Sequence, residues 1–263
     1  MKMLIAMLMI LSAVHLPAHA DGTASAATNG MDKAERLRRA TGGFVFDKRE
    51  AKGRVGFINM QDRVRRDVLS TGAAALEKEF MFYVDVVDRK AGDANGIETL
   101  GVVASESGLD VAVVVADIVL PLTMVLVPEQ KFAIVNVRAL AKDNPPQDTL
   151  ERRLRKEMSR SMSLLFGSGY TVLHKSTLSP ASSLSELDEL PMGNLPAEIS
   201  SVVQRMAVEN FGFKLFRRTF YVKALQEGWA PEPKGEYQKL LWQQYHELPA
   251  EPMKIEFDPK KGR

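Results

Sequence analysis

Arg160-Ser-Met-Ser-Leu-Leu-Phe-Gly-Ser-Gly-Tyr170 closes a long helical pattern. Leu150, Leu154, Met158, Met162 and Leu165 recur at steps of four, four, four and three residues, which draws one apolar face along a helix. Asp148, with Glu151 three residues later, predicts the N-cap. Gly167 and Gly169 predict the stop, because glycine tolerates the left-handed conformation that ends helices. An ordinary amphipathic core helix accounts for this pattern on its own.

Working back from that helix, the chain reads as alternating strands and helices. Gly53 to Asn59 is strand-like. Gln61 to Phe80 carries a helical stripe at Val64, Val68, Gly72, Ala75/Leu76 and Phe80. Met81 to Val87 is a second β-branched and aromatic run, and Gly92 to Asn95 is a turn-rich break. Leu109 to Asp117 predicts a buried strand. Val119 to Val127 carries Pro121, which suits an edge strand, and Lys131 to Arg138 completes the set. Strands lying between helices predict a mixed α/β layer.

Composition bounds the chemistry. Lys2, the apolar run Met3 to Leu16 and Ala18-His19-Ala20 read as a secretory signal peptide cleaved before Asp21. The expected location is the periplasm or the extracellular space, with no transmembrane segment after cleavage. A formal charge of +2 points to neither nucleic acid nor an anionic membrane as partner. With no cysteine, disulfides, thiol nucleophiles and cysteine metal sites are excluded. Of the four histidines, His15 and His19 fall in the signal peptide, so His174 and His246 alone remain.

Asn136-Val-Arg-Ala-Leu140, then Glu151-Arg-Arg-Leu-Arg-Lys-Glu157 and Arg160 to Tyr170, resemble the corresponding stretch of archaemetzincin-type metzincins. The resemblance spans roughly Gly53 to Met192. It implies a zincin-like α/β (α+β) fold: a twisted mixed sheet with an edge strand and two main helices, followed by a smaller, mostly helical C-terminal part. A metzincin zinc site reads H-E-x-x-H-x-x-G-x-x-H. On that frame the ligand positions fall at Arg160, Leu164 and Tyr170, the general base at Ser161 and the glycine at Gly167. Met192, in Leu190-Pro-Met-Gly-Asn194, falls where the methionine turn lies.

Only the glycine matches. Arginine is a fixed cation without an acceptor, leucine has no donor atom, and a serine hydroxyl is a poor base. One phenol at Tyr170 does not make a zinc site. The family's cysteine-rich second zinc site is missing as well. The resemblance therefore implies a degenerate member: no catalytic residues, no metal, no cofactor, and activity by binding rather than hydrolysis. The expected partner is a peptide, a protein or a small anion in the cleft near Arg160. For the frame to hold, Arg160, Leu164 and Tyr170 must converge beside the edge strand, with Met192 below. An unorthodox exported metallopeptidase and an unrelated α/β envelope protein are the alternatives.

Other catalytic readings are weaker. Glu157, His174, Glu186, Asp188 and Glu189 reproduce no ligand spacing. His246-Glu247 begins like H-E-x-x-H, but position 250 is Ala. A serine hydrolase would need Lys156 or Lys175 beside Ser159, Ser161 or Ser163. Arg63 to Arg66 and Arg152 to Lys156 read as solvated helix faces. The expected organisation is a signal peptide at 1–20, an irregular leader at 21–50, the zincin-like domain at 51–194, a helical subdomain at 195–248 and a tail at 249–263.

Overall fold

The computed structural model describes residues 33–60, 64–90, 96–172, 176–193 and 195–247. The signal peptide, the 92–95 turn, Arg63, His174, Lys175, Asn194 and the 249–263 tail lie outside the described residues. The chain divides into two compact units. The larger is Phe46–Arg218, and the smaller joins residues up to Val45 with those from Thr219 onward.

The larger unit holds a five-stranded sheet. In chain order it comprises β2 (Arg54–Asn59), α2 (Arg66–Phe80), β3 (Tyr83–Asp88), α3 (Ile97–Ser105), β4 (Val111–Ala116), β5 (Met124–Val127) and β6 (Phe132–Asn136). After these come α4 (Val137–Leu140), α5 (Gln147–Leu165), α6 (Leu184–Glu189) and α7 (Ala197–Phe211). The strand order is β3-β2-β4-β6-β5. β3, β2, β4 and β6 run parallel, while β5 pairs antiparallel with β6 and forms one edge. This is the twisted mixed sheet with an edge strand that the resemblance implies.

Period-two alternation explains how the sheet is covered on both faces. From β4, Val111, Val113 and Val115 join Val55, Phe57, Ala133 and Val135 in a core shared with α2, α5 and α7. The intervening Ala112, Val114 and Ala116 turn the other way, with Ile58, Phe132 and Ile134, to meet Leu100 and Ala104 of α3. The two main helices pack against each other at Gly72, where an added Cβ would lie 2.8 Å from Cε of Met158.

Several boundaries differ from the sequence reading. Helix α3 was not anticipated; it adds a helix between β3 and β4. The expected strand from Val119 is confined to Met124–Val127, and Pro121 lies in the preceding loop. Helix α2 begins at Arg66, leaving Val64 ahead of it. Helix α5 begins at Gln147 with Pro146, not Asp148, at the N-cap; no side chain caps it. Proline's fixed φ already turns the chain there, and Asp148 instead sits in the first turn, where a carboxylate complements the helix dipole.

The smaller unit contains α1 (Lys33–Thr41), α8 (Tyr221–Gln226) and α9 (Glu236–Glu247). The described part of the 21–50 leader thus holds α1 and strand β1 (Phe44–Asp47). β1 pairs with β7 (Arg217–Phe220) in a separate two-stranded sheet. Val45, Tyr221, Ala224 and Leu225 form this unit's core, with Leu241 and Trp242 packed against it. Buried Tyr221 satisfies its hydroxyl on the carbonyl of Pro231 at 3.1 Å. No described helix is long and apolar enough to cross a membrane.

Candidate functional site

Helix α5 buries two adjoining strips. Leu154, Met158, Met162 and Leu165 form the expected apolar face. Beside it, Arg153, Lys156, Glu157 and Arg160 are also buried. The reading of Arg152 to Lys156 as mainly a solvated face is therefore corrected at Arg153 and Lys156. Such groups survive burial only when paired or hydrogen-bonded, and each of these is.

Arg153 makes two bonds to Asp143, at 2.6 and 2.8 Å, and two to Asp188, at 2.8 and 2.6 Å. It also donates to the carbonyl of Leu140 at 2.8 Å. Hydrogen bonds from Arg153 hold the carboxyls of Asp143 and Asp188 below the usual carboxylate range. Lys156 donates to the carbonyls of Leu187 and Asp188, at 2.8 and 2.7 Å, and so closes the C-terminal end of α6. Burial pulls its ammonium below the usual lysine range. Its ammonium thus serves two backbone carbonyls rather than a serine, contrary to what a Ser/Lys hydrolase needs.

Arg160 is 3 % exposed. Its Nε donates to Oε2 of Glu157 at 3.2 Å, and Nη1 donates to the carbonyls of Thr177 and Ser179 at 2.9 and 2.6 Å. The other carboxylate oxygen of Glu157 accepts from Oγ1 of Thr123 at 2.9 Å. Thr123 stands one residue ahead of edge strand β5. Burial pushes the Glu157 carboxyl above the usual range, against the opposing pull of Arg160 and the Thr123 hydroxyl. The hydroxyl of Thr177 donates to the carbonyl of Pro191 at 2.8 Å. Bonded contacts thus run from the edge strand through α5 to the turn that bears Met192.

The remaining frame positions are placed as follows. Tyr170 is exposed, and its ring centroid lies 5.4 Å from the Arg160 guanidinium carbon, a cation–π distance. Ser161 is fully buried and donates to the carbonyl of Met158 at 3.1 Å, inside its own helix. Leu164 is half-buried and contributes its carbonyl, which accepts from the Gly167 amide at 2.9 Å. The Ser168 amide bonds the carbonyl of Ser163 at 3.2 Å, and Gly167 has φ +77°. This pair of bonds is a Schellman stop, which requires the left-handed residue at that point. Met192 is 38 % exposed. Arg160 and Tyr170 therefore meet near the edge strand. Leu164 contributes backbone to the helix stop, and Met192 follows the proline to which Thr177 is bonded.

The loop ahead of β5 has its own anchor. Asn136, fully buried, donates through Nδ2 to the carbonyls of Leu120 and Leu122 at 2.9 and 3.0 Å. Its Oδ1 accepts from the Ile118 amide at 3.2 Å, and its own amide bonds the Thr123 carbonyl at 2.8 Å. Val119, Leu120, Pro121 and Leu122 are held exposed on this loop.

Among the described residues, no three histidine, cysteine, aspartate or glutamate side chains form a group that could hold a metal ion. The acidic groups near the helix have other partners: Glu157 is bonded to Arg160 and Thr123, Asp188 to Arg153, and Glu186 to the amide and hydroxyl of Ser182. His246 stacks on Trp242 at 4.5 Å, and its Nδ1 lies 2.8 Å from that residue's carbonyl oxygen. Sequence reasoning missed Thr123, Thr177 and Ser179. They are short polar residues on loops, and only the fold brings them to Arg160.

No family model matches this sequence, and no curated protein matches it. Two solved structures are similar in fold. Archaemetzincin from Methanopyrus kandleri is 17 % identical with a TM-score of 0.49, covering 60 % of this chain and 97 % of that one. A zinc-dependent peptidase from Methanocorpusculum labreanum (strain Z) is 15 % identical with a TM-score of 0.47, covering 57 % and 100 % respectively.

Proposed function

We propose that this chain is an exported, non-catalytic metzincin-like domain that acts by binding a peptide or protein beside edge strand β5. One observation carries the proposal. At the position where the metzincin frame calls for its first zinc ligand, Arg160 is buried and paired with Glu157. A guanidinium is a fixed cation and repels a second one, and zinc binding there would also have to break the pair. Leu164 and Tyr170 add a hydrocarbon and one phenol, and Ser161 is turned into its own helix.

The same pair bears on the partner class. Both Nε and Nη1 of Arg160 already have acceptors, and Glu157 stands opposite the charge. This arrangement favours a peptide or protein over a small anion. The exposed run Val119–Leu122 and the open edge of β5 supply apolar contact and backbone pairing for an extended segment. Export rests on Lys2, the apolar run Met3 to Leu16 and Ala18-His19-Ala20.

The test has three readings on protein purified from a host that exports it. Mass analysis should find a chain beginning at Asp21. Elemental analysis should find metal well below one equivalent, unchanged by added zinc. Incubation with a diverse peptide library should yield retention of some peptides and cleavage of none. Stoichiometric zinc together with chelator-sensitive cleavage would overturn the proposal in favour of an unorthodox metallopeptidase.

A further inference from the structure

Two segments distant in sequence meet at the buried pair Glu157–Arg160, and a third is joined through one of them. Thr123, at the entry of β5, bonds the carboxylate at 2.9 Å. The 176–179 turn presents two carbonyls to the guanidinium. Thr177 in turn bonds Pro191. Both carboxylate oxygens, and the Nε and Nη1 donors of the guanidinium, have partners, so the pair joins these segments through one connected polar network.

We propose that Glu157–Arg160 is a conformational tie, fastening the entry of β5 and the 176–179 turn to one face of α5 so that the two loosen together. Such a tie adds to the β6 pairing and the Asn136 anchor that already hold β5. All four of its residues are only partly buried, and the loop before it exposes its apolar side chains. The turn also depends on it: Ser176, Thr177 and Leu178 are buried in a short irregular segment that forms neither helix nor strand. An arginine suits the task because its planar fork directs several donors at once, whereas a lysine ammonium is a point charge. Hydrogen bonds in a connected buried network reinforce one another, so losing the bond at one end weakens the bonds at the other.

The inference needs no bound partner, and it stands or falls separately from the proposed function. Amide hydrogen exchange on the full chain tests it with Thr123→Val, which is nearly isosteric and removes one hydroxyl, and Thr123→Ser, which keeps it. Thr123→Val should speed exchange at residues 123–127 by about fivefold, the scale of one lost hydrogen bond. It should also speed exchange at residues 176–179, which Thr123 does not bond, by a smaller factor of about 1.5 through the shared network. Thr123→Ser should restore both segments, and Val55–Ile58 and Val111–Val115 should stay unchanged. Arg160→Lys should release both segments by a larger factor; if it does not fold, the two Thr123 variants decide alone. A Thr123→Val effect confined to 123–127, no effect in either segment, or an equal rise across β2 and β4 would each overturn the tie.

Discussion

Glu157 and Arg160 stand one helical turn apart on α5, 3.2 Å from each other, with each side chain 3 % exposed. Removing charges from water is costly, and that cost is offset only while both partners are present. Arg160→Met or Glu157→Leu alone should therefore destabilise the chain by about 3–5 kcal/mol, because each leaves a buried polar group without its partner. The double variant Glu157→Leu/Arg160→Met should recover most of that loss. Urea midpoints on the four proteins provide the check; additive losses would show that the residues act independently.

The pH dependence has two opposite components. Glu157 has a folded-state pKa above its unfolded value because burial disfavours its charged form. Its stabilising contribution is complete below the unfolded pKa and is lost as pH rises through the folded one. Asp188 and Asp143 are lowered by Arg153, so their contribution is present above the unfolded pKa and is lost as pH falls through the folded values. Denaturation midpoints should thus fall on the acid side through the Arg153 cluster. Arg153→Met should weaken that acid limb and leave the opposite drift from Glu157, which sets in as pH rises above its unfolded pKa.

Gly72 lets the two main helices approach, since a Cβ there would lie 2.8 Å from the end of the flexible Met158 side chain. Alanine gains about 1 kcal/mol over glycine in a helix interior. That gain should roughly offset the displacement of one methyl group, so Gly72→Ala should change stability little. Gly72→Leu cannot be absorbed in this way and should cost about 1–3 kcal/mol as overpacking. Thermal unfolding of the two variants distinguishes the cases.

Asn136 holds the 118–122 loop through three side-chain hydrogen bonds. Asn136→Ala leaves the buried Ile118 amide without its partner and should cost about 1–3 kcal/mol. Limited proteolysis should then cut the chain within residues 119–122 while the wild-type loop remains intact. Equal protection in both proteins would show that the loop does not depend on Asn136.

The elements that periodicity carries were legible in the sequence. β2, β4 and β6 announced themselves as β-branched runs, and α5 by its leucine and methionine stripe. Helix α3 did not. Ile97 to Ser105 has only Leu100 and Ala104 as buried apolar side chains, and Gly101 interrupts the stripe. The candidate site was half legible. Arg160 and Tyr170 were identified as frame positions, but nothing local shows that Arg160 turns inward to pair with Glu157. Its other acceptors, Thr177 and Ser179, lie seventeen and nineteen positions along the chain. Arg153 likewise looks solvent-facing until Asp143 and Asp188 are brought to it by the loop before α5 and by α6.

The antiparallel pairing of β5 with β6 has a kinetic consequence. Val127 and Phe132 are register partners across a short turn, whereas the parallel neighbours β2 and β4 are separated by two helices and a strand. Hairpins close in about 1–10 μs, while pairings across long loops must first overcome the entropy of closing them. The edge of the sheet is thus expected to have its local geometry before the centre does. During synthesis β5 and β6 emerge ahead of α5, so the strand beside the candidate site can form before the helix that bears Arg160 leaves the ribosome.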